Sequence, residues 1–526
     1  MSTQARIISL LSAETYPAGS LTVLVGITII FLVWIGNGHP TYKNVPKVSR
    51  PFVKYFIDWE PASPFRLQTY EAEGYKKYNK NGLPFVVKLF GVDAMILPAK
   101  YLPSLKKINR HSLNFAQHLN DNMNMEATVG DIAIANDMEI DLVSRFMNRK
   151  MTPIISELAD EANYQFRHHL GDLPEFQTFN CYELCARLVH NISSRALVGI
   201  DLCRDPKYMA ACTKYTQTVF ISGVLWNFLP LGIFRKPFYW LVSLKFRWDL
   251  HKATDYIRPK IQERMDERDI AWQSKGEKSY YMDVIQFALD QITPSPREND
   301  ASRHARRIVH LSFASTGTSI SLTYNLIWHL LLQPEILGVL RTEIETSLEQ
   351  HGREWSKTML DSLHLLDSFI RETLRHHPAA CFSGQRTAME SITLPDGMNL
   401  KPRSRIAFAA ASTNMDPDNY KDASSFDAFR FAGPDFSHRS EGRVKAAVFD
   451  EKFLSWGYGK QACPGRFYAV RLVKLVFGLL IHEYDIEWDS SKKEFPKVMA
   501  IEGTFLADMK ANIRVRSRER NAPSTS

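Results

Sequence analysis

The stretch Trp456–Ala469, which reads Trp-Gly-Tyr-Gly-Lys-Gln-Ala-Cys-Pro-Gly-Arg-Phe-Tyr-Ala, constrains this chain more than any other. Cys463 is preceded by a glycine-bearing turn, Gly457 and Gly459, and followed by Pro464 and Gly465, after which a long apolar run begins at Phe467. This is a loop that delivers a thiol to the start of a helix. Proline is tolerated at the first helical position, where its missing N–H would be unsatisfied anyway, so Cys463 is expected at the helix N-cap. The free N–H groups and the dipole at that end favour thiolate over thiol. The glycines remove side chains where the backbone must approach something flat and large. From these residues alone the thiol is a nucleophile, a metal ligand or one buried cysteine among several.

Two further segments carry a pattern. From Arg303 to Leu332 no proline intervenes, and Ile308, Leu311, Leu322, Leu326 and Leu330 supply the buried face of a long helix. Its middle, Phe313-Ala314-Ser315-Thr316-Gly317-Thr318-Ser319, is rich in small and hydroxyl residues that weaken a helix. Such a sequence makes room for something beside the helix. The segment Phe369-Ile370-Arg371-Glu372-Thr373-Leu374-Arg375 places Glu372 and Arg375 at i and i+3, within ion-pair reach on one helix face.

The order aromatic-x-x-Gly-x-x-x-Cys-x-Gly, carried by Trp456, Gly459, Cys463 and Gly465, resembles the heme-binding loop of the cytochrome P-450 family. The other segments occur in that family's order: a small-residue helix, then Glu-x-x-Arg, then Phe426-Asp427-Ala428-Phe429-Arg430-Phe431, then the cysteine. The resemblance implies a mainly α fold with small β-sheets, the cytochrome P-450 fold, holding heme b between the Thr318 helix and the helix after Cys463. Cys463 would be the axial ligand of the heme iron, and Trp456, Gly459 and Gly465 its supporting loop. Thr318 matches the characteristic threonine that relays protons to oxygen, with Ser319 beside it as a second hydroxyl, while Gly317 stands where an acid is common. Glu372, Arg375 and Arg430 would form a buried, mutually satisfied structural triad. Arg386 matches an arginine that meets a heme propionate, and Arg145 or Arg149, one turn apart on a basic helix expected over 140–162, supplies another such contact. Two positions depart from the pattern. Gln461 replaces an arginine or histidine two residues before the cysteine, and Trp456 replaces a phenylalanine, bringing an indole N–H near the sulfur.

Residues 18–38 contain an almost unbroken apolar core from Leu21 to Ile35 without charge. Roughly 20 residues at ~1.5 Å rise span about 30 Å, enough to cross a bilayer. Only Arg6 precedes this segment as a basic side chain and no Ala-x-Ala-like site follows it, which favours a retained anchor over a cleaved signal. Lys43, Lys47 and Arg50 follow it, placing the rest of the chain in the cytosol. The expected organisation is a tail over 1–17, a transmembrane anchor over 18–38, a proline-rich hinge over 39–60 and a catalytic heme-binding domain over 61–526. The setting is the endoplasmic reticulum membrane, with a single pass. Six scattered cysteines exclude a disulfide framework. A net charge of +8 without a dense basic stripe argues against a nucleic-acid partner and suits a membrane lipid surface or an acidic electron donor.

Leu83–Leu97 reads as two short strands around a turn at Gly91 and Asp93, and Pro395-Asp396-Gly397 as a turn between strands. Between Tyr215 and Trp248, Pro230, Gly232 and Pro237 interrupt a run of large apolar groups. It reads as a pair of helices dipping into the membrane interface, a region that roofs the substrate cavity in the resembling family. Neither a phosphate-cradling loop nor a dinucleotide fingerprint is present. By the resemblance, electrons come from NADPH through a separate flavoprotein reductase, and O2 is used to oxidise an apolar small molecule. The sequence style points to a terpenoid or other fungal secondary-metabolite intermediate. Two other activities fit a heme-thiolate site: isomerisation or dehydration without oxygen activation, against which Thr318 argues, and non-catalytic heme sensing.

Overall fold

In a computed structural model of the chain, residues 40–48, 65–132, 137–228, 235–274, 281–290, 299–434 and 442–519 are described. The expected anchor over 18–38 and most of the hinge lie outside them. Among the described residues no helix is long and apolar enough to cross a membrane.

Helices dominate. The helix with the small-residue middle runs Ala301–Leu332, two residues longer at its start than the sequence pattern marked. Asp300 caps it, its carboxylate accepting the N–H groups of Ser302 and Arg303 at 3.2 and 3.0 Å. Such a cap satisfies donors that a helix start otherwise leaves unpaired. Ile308, Leu311, Leu322, Leu326 and Leu330 are all buried, as their spacing requires. This central helix packs against Cys181–Cys203, Arg235–Ser274 and the helix Arg466–Glu483 that follows the cysteine loop. Val473, Leu475, Val476 and Phe477 on the last of these are fully buried. At about 1.5–3 kcal/mol each, burial of such side chains fixes the helix, and with it the end of the loop.

A five-stranded sheet stands beside the helices. Its order is Phe85–Leu89, Val92–Ile96, Arg405–Ala409, Phe382–Ala388, Leu113–Asn114. The first two strands form the expected hairpin, but its turn is Phe90-Gly91, at φ 48° and 69°, and Asp93 lies within the second strand opposite Lys88. Two left-handed residues match the twist of a two-residue hairpin loop, which explains the tighter turn. The Pro395-Asp396-Gly397 turn joins Ile392–Thr393 to Asn399–Leu400. Phe382–Ala388 carries Arg386 toward the cysteine loop.

The helix expected over 140–162 is not continuous. A short helix Met138–Asp141 passes into a π-helical turn at Leu142–Met147, and a new helix begins at Met151. Pro153 lacks an N–H and fits only in the first turn of a helix, so a fresh start just before it is the arrangement that wastes no hydrogen bond. Between Tyr215 and Trp248 the chain forms the ends of two helices, Pro206–Phe228 and Arg235–Ser274.

Candidate functional site

Gly457 and Gly459 both take left-handed φ, 76° and 73°. They are required by the turn itself, so their role is conformational first. The helix starts at Arg466 with Gly465 as its N-cap. Cys463 therefore lies two residues ahead of the cap rather than on it, and Pro464 shapes the turn instead of opening the helix. The sulfur nonetheless gains what the expectation sought from the helix end. Burial pushes the Cys463 thiol up, and the backbone N–H groups of Gly465 and Arg466 together with the Arg466 charge oppose that rise. A coordinating cation deprotonates such a thiol outright. The Cys463 N–H donates to the Trp456 carbonyl at 2.7 Å, closing the loop on itself.

Trp456 does not aim its indole N–H at the sulfur. Nε1 donates to the Ala446 carbonyl at 2.7 Å, so the indole N–H is engaged away from the sulfur. Gln461 is also engaged elsewhere: Nε2 donates to the Leu113 carbonyl at 2.7 Å and Oε1 accepts the Phe115 N–H at 3.0 Å. It ties the loop to the edge of the five-stranded sheet.

Facing the loop's helix, the central helix opens in its middle. Ala314, Gly317 and Thr318 are exposed although Leu311, Ser312, Thr316, Ser319 and Ile320 beside them are buried. A Cβ added at Gly317 would meet nothing within 4 Å. Positions 314, 317 and 318 share one helix face at i, i+3 and i+4, so the small residues line a space rather than a packing seam. The hydroxyls sort by face. Ser315, Thr316, Ser319 and Thr323 each donate to a carbonyl of the preceding turn, at 3.2, 2.7, 2.9 and 3.0 Å. Thr318 makes no such bond, and its hydroxyl stands unspent on the open face. Ser319, buried and tied to Ser315, sits on the other side.

Arg386 is 3% exposed, and its guanidinium donates to two carbonyls, Gln385 at 2.6 Å and Gln461 at 3.1 Å. Among the described residues it meets no carboxylate, and burial lowers its pKa to about 10. A buried cation without a counter-ion beside the cysteine loop suits an anionic group brought by a ligand. Arg145 and Arg149 both point outward: Arg145 is paired with Asp141 at 3.3 Å, and Arg149 is exposed. Between them Asn148 reaches the loop, donating Nδ2 to the Pro464 carbonyl at 3.1 Å. Nothing in the sequence marked it, since a single asparagine in a basic helix carries no signature.

Glu372, Arg375 and Arg430 come together and are fully buried. Arg375 clamps Glu372 with two bonds of 2.7 Å, and Arg430 Nε reaches the same carboxylate at 3.1 and 3.2 Å. The sequence did not reveal how this cluster holds the loop. Arg375 Nη1 donates to the Asn414 carbonyl at 3.0 Å. The Asn414 side chain then donates to Ser455 Oγ at 2.8 Å and accepts the Leu454 N–H at 3.0 Å. Ser455 directly precedes Trp456, so the triad is connected to the cysteine loop through one asparagine.

A family model described as "Cytochrome P450" matches residues 113–507. The "Cytochrome P450 monooxygenase sirB" of Leptosphaeria maculans is 40% identical over 498 residues, covering 93% of this chain and 94% of that one. The "Cytochrome P450 monooxygenase olcJ" of Penicillium canescens is 28% identical over 524 residues, covering 96% and 94%. Among solved structures, the "cytochrome P450DA heme domain" superposes with a TM-score of 0.65 at 15% identity, covering 90% of this chain and 97% of that one. That likeness is one of fold.

Proposed function

The chain belongs to the cytochrome P-450 family, and from that premise we propose that it oxidises an apolar small molecule, a terpenoid or other fungal secondary-metabolite intermediate, with Cys463 as the residue that would hold the heme iron and Thr318 as proton relay. It is a heme b monooxygenase, an oxidoreductase, like the relatives it matches. When bound, the heme supplies oxygen activation and one-electron chemistry, which no amino-acid side chain provides.

The described residues fit that group. The Cys463 sulfur, braced by the Gly465 and Arg466 N–H groups, is the donor for iron. Arg386 would hold a propionate, since among the described residues it meets no carboxylate. The open face at Ala314, Gly317 and Thr318 leaves room for oxygen, and Thr318 Oγ1 holds and passes a proton there, since it is the hydroxyl not spent on a preceding carbonyl. That unspent hydroxyl on an open patch of an otherwise buried helix is the observation that carries the reading. It favours oxygen chemistry over rearrangement or dehydration.

Electrons arrive from an NADPH-dependent flavoprotein reductase whose acidic face meets the basic surface of this chain. Residues 18–38 anchor the enzyme in the endoplasmic reticulum membrane by a single pass, with the catalytic domain in the cytosol. Support for contact with lipid comes from Phe238, Trp240, Leu241, Leu244 and Trp248, large apolar residues exposed near the start of the Arg235–Ser274 helix. The test is coupled turnover: with the reductase present, a substrate must raise NADPH and O2 consumption in step with the appearance of an oxygenated product. Product formation without O2 uptake would refute the monooxygenase reading.

A further inference from the structure

Asn148 meets the cysteine loop on the far side of Cys463. It closes the π-helical turn Leu142–Met147, its N–H bonding back five residues to the Val143 carbonyl at 3.2 Å. That turn lies against the loop, where a Cβ added at Gly465 would meet Val143 Cγ1 at 3.6 Å. From there Asn148 Nδ2 donates to the Pro464 carbonyl at 3.1 Å. The reverse orientation of the amide would set two carbonyl oxygens against each other. Its Oδ1 is buried and has no partner among the described residues. An amide that serves only to pin two segments together is ordinarily satisfied at both ends, whereas this one commits its donor to a single carbonyl and leaves its acceptor unpaired.

The Pro464 carbonyl and the Gly465 N–H are the two ends of one planar trans peptide group, so they point to opposite sides. Gly465 caps the helix Arg466–Glu483, and no backbone carbonyl among the described residues takes its N–H. The acceptor is the side chain two residues back, the spacing at which a side chain closes a turn on its own backbone. Burial raises the Cys463 thiol's pKa, and the bonds that the sulfur accepts from the Gly465 and Arg466 N–H groups oppose the rise. A hydrogen bond at one end of a peptide group polarises it and strengthens the bond at the other end, by about 10–30%. The Arg466 guanidinium makes a similar bond to the Cys463 carbonyl at 2.7 Å. That peptide ends on Pro464, which has no N–H through which the effect could pass.

We infer that Asn148 tunes the electron density on the Cys463 sulfur through the Pro464–Gly465 peptide, and thereby raises the reduction potential of the heme iron. It touches neither sulfur nor iron, so it is a positioning residue that acts through the Gly465 N–H. Charge drawn off the sulfur lessens the donation that opposes an added electron, which favours the ferrous form over the ferric. The inference rests on Cys463 as the residue that would hold the iron, and the carbon monoxide spectrum of Cys463→Ala tests that reading separately.

The experiment compares full-length, heme-loaded parent, Asn148→Leu and Asn148→Ala in detergent by spectroelectrochemical titration. Leucine keeps the volume of asparagine without its donor, and alanine removes the donor with no possibility of a clash. In both, the equilibrium should move about two- to fourfold toward ferric iron, the share of a charge-assisted bond that polarisation supplies. At about 59 mV per tenfold for one electron, this is a potential lower by about 18–36 mV. Resonance Raman should show the iron–sulfur stretch at higher frequency, because a sulfur relieved of part of its hydrogen bond donates more strongly. Loosened packing alone would not produce that paired shift. The carbon monoxide band should stay at its thiolate-ligated position. An unchanged or raised potential in both variants, an iron–sulfur stretch that stays or falls, or loss of the thiolate-ligated band in both overturns the inference. The last of these would make Asn148 a brace for the fold of the loop.

Discussion

Replacing Glu372 by Gln tests how much of the fold rests on one carboxylate. The side chain is fully buried and accepts N–H groups from Arg375, Arg430 and the Asp427 backbone, the last at 3.0 Å. Burial alone would raise its pKa, but the bonds and charges of Arg375 and His376 outweigh that and hold it at about 2. Against ~4.3 in an unfolded chain, the difference is worth about 3 kcal/mol of stability. Because the folded pKa is the lower one, this contribution is complete above ~4.3 and is lost as pH falls toward 2. Glutamine keeps the shape but removes the charge, and its NH2 faces guanidinium donors. Breaking a buried pair in this way costs about 3–5 kcal/mol, a large share of the 5–15 kcal/mol that typically holds a folded protein.

The assay is urea unfolding of the full-length chain in detergent at pH 7, followed by tryptophan fluorescence and heme absorbance. The unfolding free energy should fall by about 3–5 kcal/mol. Heme should also be lost at lower urea than in the parent, because Arg375 reaches the cysteine loop through Asn414 and Ser455. The difference between parent and variant should shrink below pH ~4.3. A loss under about 1 kcal/mol at pH 7 with full heme retention would refute the argument that the triad bears on the loop.

Cys463→Ala should abolish the carbon monoxide absorption band of thiolate-ligated ferrous heme, and a retained band would remove Cys463 from the iron. Thr318→Ala should divert reducing equivalents from product to hydrogen peroxide, measured as the ratio of peroxide to product per NADPH; Ser319→Ala, whose hydroxyl is already tied to Ser315, should leave that ratio within about twofold. Arg386→Met should bind heme more weakly without destabilising the heme-free chain, because it removes a buried cation that has no carboxylate partner among the described residues; competitive heme transfer to an acceptor globin reads this. Glu502, buried and bonded to the Phe90 N–H at 2.6 Å, has its pKa raised by burial to about 7. Its folded pKa is the higher one, so its contribution is complete below ~4.3 and fades as pH rises through 7. Unfolding midpoints of the parent should therefore drop between pH 5 and 8 more steeply than those of Glu502→Gln.

Motifs that recur at fixed spacing were legible in the sequence. The cysteine loop, the Glu-x-x-Arg pair and the long helix announced themselves because each compresses its geometry into a few neighbouring residues. Arg430 was legible only through the segment it sits in, and the structure then supplied its distances. The N-terminal limit of the helix after Cys463 was misplaced by two residues, because Pro464 suits the first turn of a helix and a tight turn equally well. Arg145 and Arg149 have the right charge and helical spacing, yet Arg145 falls inside a π-helical turn, Leu142–Met147, and both side chains are exposed. Helical periodicity cannot foresee an inserted residue.

The sorting of hydroxyls on the central helix marks where sequence reasoning stops and geometry begins. Thr316, Thr318 and Ser319 are chemically interchangeable in a string of letters, and a hydroxyl in a helix ordinarily bonds back to the preceding turn. Thr316 and Ser319 do so. Thr318 is available because its face of the helix is the one left open.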